Sequence, residues 1–334
     1  MIKIGLIGCG FMGGMHSACY AALEDVKVVA VADLRADKAK EIADKHGATV
    51  YENGEALIAN ADVDAIDICL PTYLHTQHAV LAMKAGRNVF IEKPVALTRE
   101  EGELLLATQE ETGAQVQIGQ VIRFWDEYVW LKEQIDSNAF GKLQSANFQR
   151  LSSWPDWAWD NWLHQANKSG SVAQDMHIHD VDYMRFVFGD PASFKTTVQR
   201  DGDGVIQHIY SNFTYDGNVA VGIEACWDYP AGFPFTAGFR VKFENATVVN
   251  DANGLTVYQK DGTSYKPELK KACDLGNDIG GNISDLGGYY NELRYFVEQL
   301  NVKKPLTVAP LNEGVRSLNL ILDEIESVGG AQKQ

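Results

Sequence analysis

Met1-Ile2-Lys3-Ile4-Gly5-Leu6-Ile7-Gly8-Cys9-Gly10-Phe11-Met12-Gly13 opens the chain, and this stretch decides the fold. Ile2 to Ile7 read as a short apolar strand that runs directly into Gly8-x-Gly10-x-x-Gly13, and Asp33 ends the next apolar run. Each glycine has its own physical task. Gly8 lets the strand turn sharply, Gly10 lets a dinucleotide backbone come close, and Gly13 lets the following helix pack tightly on the sheet. Phosphate then rests on the N–H groups and positive dipole end of that helix. Glycine-rich turns are common, so the triplet counts only because its context fits. It follows a strand, opens a helical pattern (Met15, Ala18, Cys19, Ala22), and has an acidic residue about 20 positions on. Gly8, Gly10, Phe11, Met12 and Gly13 are therefore candidate cofactor-binding residues.

Asp33 also bears on which cofactor binds. A carboxylate at the end of the second strand accepts both ribose hydroxyls of NAD and repels the additional phosphate of NADP. NAD is favoured. Arg35, two residues on, can swing over a 2′-phosphate and keeps NADP open.

At 334 residues the chain exceeds the size at which one core keeps growing, so two domains are expected. With 46% apolar and 22% charged residues it can build full cores and has no disordered signature. A net charge of -16 argues against nucleic acid or an anionic membrane as partner, since both repel it. No run of about 18 apolar residues occurs, and the N-terminus is a strand without a cleavage site, so a cytoplasmic protein is expected. Cys9, Cys19, Cys69, Cys226 and Cys273 are scattered and odd in number, and they read as small buried hydrophobes in a reducing compartment.

Strands and helices then alternate. Val26 to Ala32 reads as a buried strand, Ala36 to His46 as a helix, Ala65 to Leu70 as a strand, Leu74 to Ala85 as a helix, and Asn88 to Ile91 as a strand. A helix from Thr98 to Thr112 and a strand from Gln115 to Gly119 follow, and this alternation predicts a parallel sheet covered on both faces. After about residue 122 the texture changes. Ile206 to Tyr215, Val219 to Trp227 and Phe239 to Val249 alternate apolar with polar residues, as half-buried antiparallel strands do. Helical periodicity returns at Tyr290 to Leu300 and Asn312 to Ser327. The expected division is an NAD(P)-binding domain over residues 1–121 and a substrate-binding domain over 122–334, with room for the C-terminal helix to pack back on the first.

Candidate chemistry sits where strands end. Glu92-Lys93-Pro94 follows the strand Asn88 to Ile91, and loops at the carboxyl ends of parallel strands line the cofactor crevice, so these side chains are expected to face the nicotinamide. Pro71 and His75, after the strand Ala65 to Leu70, follow the same logic. Farther along, Ser169 to Phe186 starts with turn residues and becomes helical. Asp175 and His179 are four apart, so on a helix they share a face and the carboxylate can orient the imidazole to take a proton near neutral pH.

Together these residues carry a resemblance. Gly8-x-Gly10-x-x-Gly13, Pro71-Thr-Tyr-Leu-His75, Ala85 to Pro94, Asp175-x-x-x-His179-x-x-Asp182, Gly288-Tyr289-Tyr290-Asn-Glu292 and Val308-x-Pro310 are similar to the glucose-fructose oxidoreductase / inositol dehydrogenase (Gfo/Idh/MocA) family along nearly the whole chain. The resemblance implies a Rossmann domain, a doubly wound parallel sheet, followed by an α/β domain with an open, mostly antiparallel sheet that often forms an oligomer interface in a homodimer or homotetramer. It also implies NAD(P)-linked oxidation of a secondary alcohol on a sugar or cyclitol, or the reverse reduction. In family terms Lys93 and His179 flank the reacting carbon, His179 is the acid/base with Asp175 as partner, and Asp182 contacts a substrate hydroxyl. Two departures fall on the substrate side. The glycine-rich turn before the Asp-His motif is reduced to Ser169-Gly170-Ser171, and the proline often found after Arg123-Phe124 is absent.

Elementary chemistry asks for the same parts. Hydride leaves a carbinol carbon only as the hydroxyl loses its proton, so a base and a positive group beside the oxygen are needed, and no metal is required. Trp154, Trp157, Trp159 and Trp162, with Asp156, Asp160 and Asn161 among them, suit a polyol that offers C–H faces and hydroxyl edges; Trp159, Trp162 and Arg123 are the candidate substrate contacts, although cores and interfaces also use such tryptophans. Two rival readings remain: a metal-dependent hydrolase built on His177, His179 and Asp180, and a non-catalytic NAD-binding sensor or scaffold.

Overall fold

The computed structural model describes residues 1–269 and 286–330. The chain forms two compact units, Met1–Phe124 with Ala272–Leu318, and Trp125–Lys271 with Asn319–Gln334.

The first unit is a six-stranded parallel sheet with helices between its strands. In chain order it contains β1 (Ile2–Ile7), α1 (Phe11–Ala21), β2 (Val26–Ala32), α2 (Ala36–His46), β3 (Thr49–Tyr51), α3 (Gly54–Asn60), β4 (Ala65–Ile68), α4 (His75–Lys84), β5 (Asn88–Glu92), α5 (Arg99–Thr112) and β6 (Val116–Gly119). The strand order is β3-β2-β1-β4-β5-β6, and every neighbouring pair is parallel. The order reverses direction beside β1, which places the end of that strand at the crevice where dinucleotides bind in such sheets. Ile4, Leu6, Val28, Val31, Ile66, Ile68, Phe90 and Ile91 are buried, as expected of strands covered on both faces. Local chemistry sets the helix ends. α2 closes on Gly47, whose φ of 64° suits glycine, and α5 opens with a capping box between Thr98 and Glu101. β3 and α3 are too short for periodicity to reveal them; α3 is started by Asn53, whose side chain accepts the Ala56 N–H at 2.8 Å.

The second unit is an eight-stranded sheet with helices α6 (Asp126–Asp136), α7 (Ala166–Ser169) and α8 (Ile178–Phe188). Its strands are β7 (Leu143–Ser153), β8 (Ser193–Arg200), β9 (Ile206–Tyr215), β10 (Val219–Tyr229), β11 (Thr236–Phe243), β12 (Ala246–Asp251), β13 (Gly254–Gln259) and β14 (Ser264–Tyr265). They lie in the order β14-β13-β12-β11-β7-β10-β9-β8, antiparallel throughout except where β10 runs parallel to β7. The single strand expected over Phe239 to Val249 is two strands, β11 and β12, folded back at Glu244-Asn245 so that Lys242 pairs with Thr247. The buried positions shift phase across that turn, from Phe239, Val241 and Phe243 to Ala246 and Val248, but apolar Val249 falls back on the earlier phase and masks the break. One face of the sheet packs on aromatic side chains. Tyr128 of α6 meets Tyr183 of α8 edge-on with ring centres 4.8 Å apart and Phe239 at 5.0 Å, and the Tyr183 hydroxyl donates to the Tyr128 carbonyl at 2.6 Å.

Two later helices, α9 (Gly287–Val302) and α10 (Leu311–Ser327), complete the described chain. Among the described residues no helix is long and apolar enough to cross a membrane. Cys9, Cys19, Cys69 and Cys226 form no disulfide with one another. Cys273 lies outside the described residues.

Candidate active site

The glycine turn is built as its sequence demands. Gly8 has a φ of 93°, and a Cβ there would lie 2.5 Å from the Cys69 carbonyl oxygen. A Cβ on Gly13 would fall 1.9 Å from the Gly8 carbonyl oxygen, so α1 can approach β1 this closely only with glycine at that position. Gly10 is different: the nearest atom to a Cβ there is Arg35 Nη2 at 3.4 Å, leaving space above the turn. α1 begins at Phe11 with no side-chain cap at Gly10 and no acidic residue in its first turn, which leaves its positive end suited to phosphate. Phe11 and Met12 are half-buried in that first turn.

Asp33 follows the last residue of β2. Its carboxylate accepts the Cys9 N–H at 2.7 Å and the Arg35 N–H at 2.8 Å, and Arg35 grips it with Nε and Nη2, both at 3.0 Å. Burial pushes the Asp33 carboxyl up, but the Arg35 side chain and the two backbone donors outweigh it and hold the group below the usual carboxylate range. The pair expected to read the ribose is thus a preformed fork, with Arg35 beside the glycine turn.

The ends of β4 and β5 are fastened together. His75, the first residue of α4, is buried with Nδ1 2.8 Å from the Pro94 carbonyl and Nε2 2.7 Å from the Leu70 carbonyl. Burial pushes this imidazole below its ordinary value, against the opposing pull of the two carbonyls. His75 therefore ties the loop that carries Pro71 to the turn that carries Lys93. The Lys93–Pro94 peptide is cis, and Lys93 is half-buried. Glu92 differs from the expectation of a crevice-facing side chain. Its carboxylate is buried, accepts the Lys93 N–H at 3.1 Å and lies 3.0 Å from His16 Nε2. The signal for His16 is its place one turn into α1, but nothing local links it to a residue 76 positions away.

In the second unit, Gly170 and Ser171 both take left-handed backbone, with φ of 72° and 66°. The helical pattern expected here opens as a π-helical turn over Ala173–His177 that leads into α8. Such wide turns recur at functional sites. From Ser171 to Arg185 every residue is buried except Asp175 and His179, which are half-buried. The two side chains singled out by their spacing are thus the two that reach the surface of this run. Asp182, expected to touch a substrate hydroxyl, is instead buried at 1% exposure. Arg123 is also buried, in the first unit, and donates to the Val308 carbonyl, so it braces the turn Val121–Phe124 rather than presenting itself as an open donor.

The ligands proposed for a hydrolytic metal do not converge. Asp180 takes a two-pronged bond from buried Arg150, with Nε at 3.0 Å and Nη2 at 3.2 Å. His177 is buried with Nε2 3.3 Å from Glu324, whose same oxygen also accepts from Ser211 and Thr196. The groups of metal-binding side chains close enough to share an ion, among the described residues, include none of His177, His179 and Asp180.

The tryptophan segment divides. Trp154 is half-buried and packs on His164 with ring centres 4.3 Å apart and on the buried Trp227 at 6.4 Å. Trp162 is half-buried, while Trp157 and Trp159 are exposed. Asp160 and Asn161 hold left-handed backbone, with φ of 53° and 47°, between Trp159 and Trp162.

Residues 2–120 match the model of an oxidoreductase family with an NAD-binding Rossmann fold, and residues 128–249 match the GFO/IDH/MocA C-terminal domain. The chain belongs to the GFO/IDH/MocA oxidoreductase family. Among its relatives, inositol 2-dehydrogenase of Rhizobium meliloti is 31% identical over 198 residues, 59% of this chain and 58% of that protein. D-glucoside 3-dehydrogenase of Escherichia coli is 27% identical, over 57% of this chain and 55% of that protein. The chain thus matches just over half the length of these curated relatives. A levoglucosan dehydrogenase solved with NADH and levoglucosan shares the fold, with a TM-score of 0.85 at 20% identity over 98% of this chain and 97% of that one. Residues 2–120 of this GFO/IDH/MocA family member thus carry the NAD-binding Rossmann fold that the glycine turn and Asp33 foretell.

Proposed function

We propose that the protein is an NAD-dependent dehydrogenase that moves hydride between a secondary alcohol of a sugar or cyclitol and the nicotinamide, with His179 as acid/base. The single observation that carries this reading is the exposure of Asp175 and His179, alone among Ser171 to Arg185, at one-turn spacing. Bound NAD supplies the hydride acceptor. His179 takes the hydroxyl proton as the carbon–hydrogen bond breaks, and Asp175 favours the imidazolium that results. Lys93, on the braced turn after β5, places a cation against the developing alkoxide. The half-buried Trp162 and exposed Trp159 offer aromatic faces to the C–H side of a polyol. The names of the relatives, an inositol and a glucoside dehydrogenase, support this substrate class.

Variants test the assignment. His179→Ala should cut turnover by about 100-fold or more while NAD affinity stays nearly unchanged. Asp175→Asn and Lys93→Met should each lower turnover as well, with thermal melts confirming that the variants stay folded. A His179→Ala protein that keeps most of its turnover would sink the mechanism.

A further inference from the structure

Within the first unit, next to Glu92, a cluster of polar side chains is closed to solvent. His16, Asp67 and Glu292 have no exposure, Tyr20 has 2% and Glu92 has 4%. His16 Nδ1 lies 2.8 Å from Asp67 Oδ2, and the Tyr20 hydroxyl donates to that same oxygen at 2.9 Å. Cys69 Sγ lies 3.2 Å from His16 Nδ1. On the other side of the ring, His16 Nε2 is 3.0 Å from Glu92 Oε1, and Glu292 of α9 brings a carboxyl oxygen within 4.8 Å of both. Neither oxygen of Glu292 has a hydrogen-bond partner among the described residues.

Counting charge exposes the problem. With Asp67, Glu92 and Glu292 all ionised, even a fully protonated His16 leaves the cluster two negative charges in excess in a dry interior, and buried charge of that kind is severely penalised unless it is neutralised. Asp67 has Tyr20 and His16 as donors, and Glu92 has the Lys93 N–H and His16 beside it. Among the described residues Glu292 alone of the three has no donor, so it is the carboxyl best served by keeping its proton.

We propose that Glu292 is a neutral carboxylic acid that keeps its proton and donates a hydrogen bond to Glu92, and that it thereby acts as a positioning residue for the Lys93 turn. This rests on the reading of Lys93 given above. The two carboxyl groups bring oxygens within 4.8 Å of each other and must close further to share the hydrogen bond. Glu92 is then held by the imidazole, by the acid and by the Lys93 N–H, so the backbone that carries Lys93 is anchored to α1 and α9 at once. Burial and the adjacent Glu92 both push Glu292 well above its ordinary value, against the pull of His16.

Two measurements decide it. Infrared spectra of the purified protein at neutral pH should show the carbonyl band of a protonated carboxyl group, and Glu292→Gln should remove it. If that band is absent, or survives in Glu292→Gln, the acid is not Glu292. Stoichiometric metal in the purified protein would also overturn the proposal, since a cation would then stand in place of the proton. In kinetics, Glu292→Leu should lower turnover by about tenfold or more, a cost of misplaced geometry. Glu292→Gln should rescue it, because an amide can donate as the acid does. NADH binding and the melting temperature should separate this loss from unfolding. A Glu292→Leu protein with full turnover, beside a Lys93→Met protein that has lost it, defeats the positioning role while leaving the reading of Lys93 intact. Full turnover in Lys93→Met defeats that reading first.

Discussion

Asp33 and Arg35 show how one carboxylate serves two purposes. It is held by four donors, two from the Arg35 side chain and one each from the backbone of Cys9 and Arg35. A ribose that takes the carboxylate must loosen Arg35, and Arg35 is then placed near the glycine turn, 3.4 Å from where a Cβ on Gly10 would lie. Asp33→Ala should therefore weaken NAD and improve the relative use of NADP, because it removes a ribose acceptor and frees a guanidinium together. Nucleotide titrations of wild type and variant check this. A wild-type preference for NADP of about tenfold, or about 1.4 kcal/mol, would contradict it. At this scale the sequence is legible where function is local. The glycines, Asp33 and the Asp175/His179 spacing each show within a few residues. Glu292 and His16 do not, because their partner Glu92 lies on another element, and the inward turn of Glu92 and burial of Asp182 are decided by packing.

Elements place these residues, and their joints can be tested. Gly13→Ala would set a Cβ 1.9 Å from a backbone oxygen that cannot swing aside. The variant should melt lower and bind NADH at least about tenfold more weakly, about 1.4 kcal/mol. Wild-type affinity there would mean that α1 does not need its close approach to β1. The Arg150 to Asp180 bond joins β7 to α8 just beside His179, and Asp180 is fully buried. Arg150→Leu should cost about 3–5 kcal/mol at neutral pH, since it strands a buried carboxylate. Burial already pushes Asp180 above its ordinary value despite Arg150. A folded-state value above the unfolded one, near 3.9, means that the native state holds the proton more tightly, so stability falls as pH rises. The deficit of Arg150→Leu should therefore shrink as the pH is lowered from 8 towards 5; denaturant melts across that range should show it, and a deficit that grows on acidification would refute the argument.

For the whole molecule, strand and helix alternation made the parallel sheet readable from sequence, down to the bounds of β1, β2 and α2. The second sheet was readable only as a class. Its order places β7 between β11 and β10, and β10 runs parallel to β7 although some 76 residues separate their first residues, a pairing set by tertiary packing and not by local pattern. The fold, the glycine turn and the His179 run are parts that a polyol dehydrogenase needs, and in the proposed function they work together on a secondary alcohol. The most direct test follows NADH absorbance with purified protein, NAD and a panel of inositols, aldoses, anhydrosugars and glycosides, with NADP in parallel. At least one polyol should yield NADH at a rate that falls about 100-fold in His179→Ala. NAD binding without turnover on any member of the panel would contradict the account and favour a non-catalytic sensor.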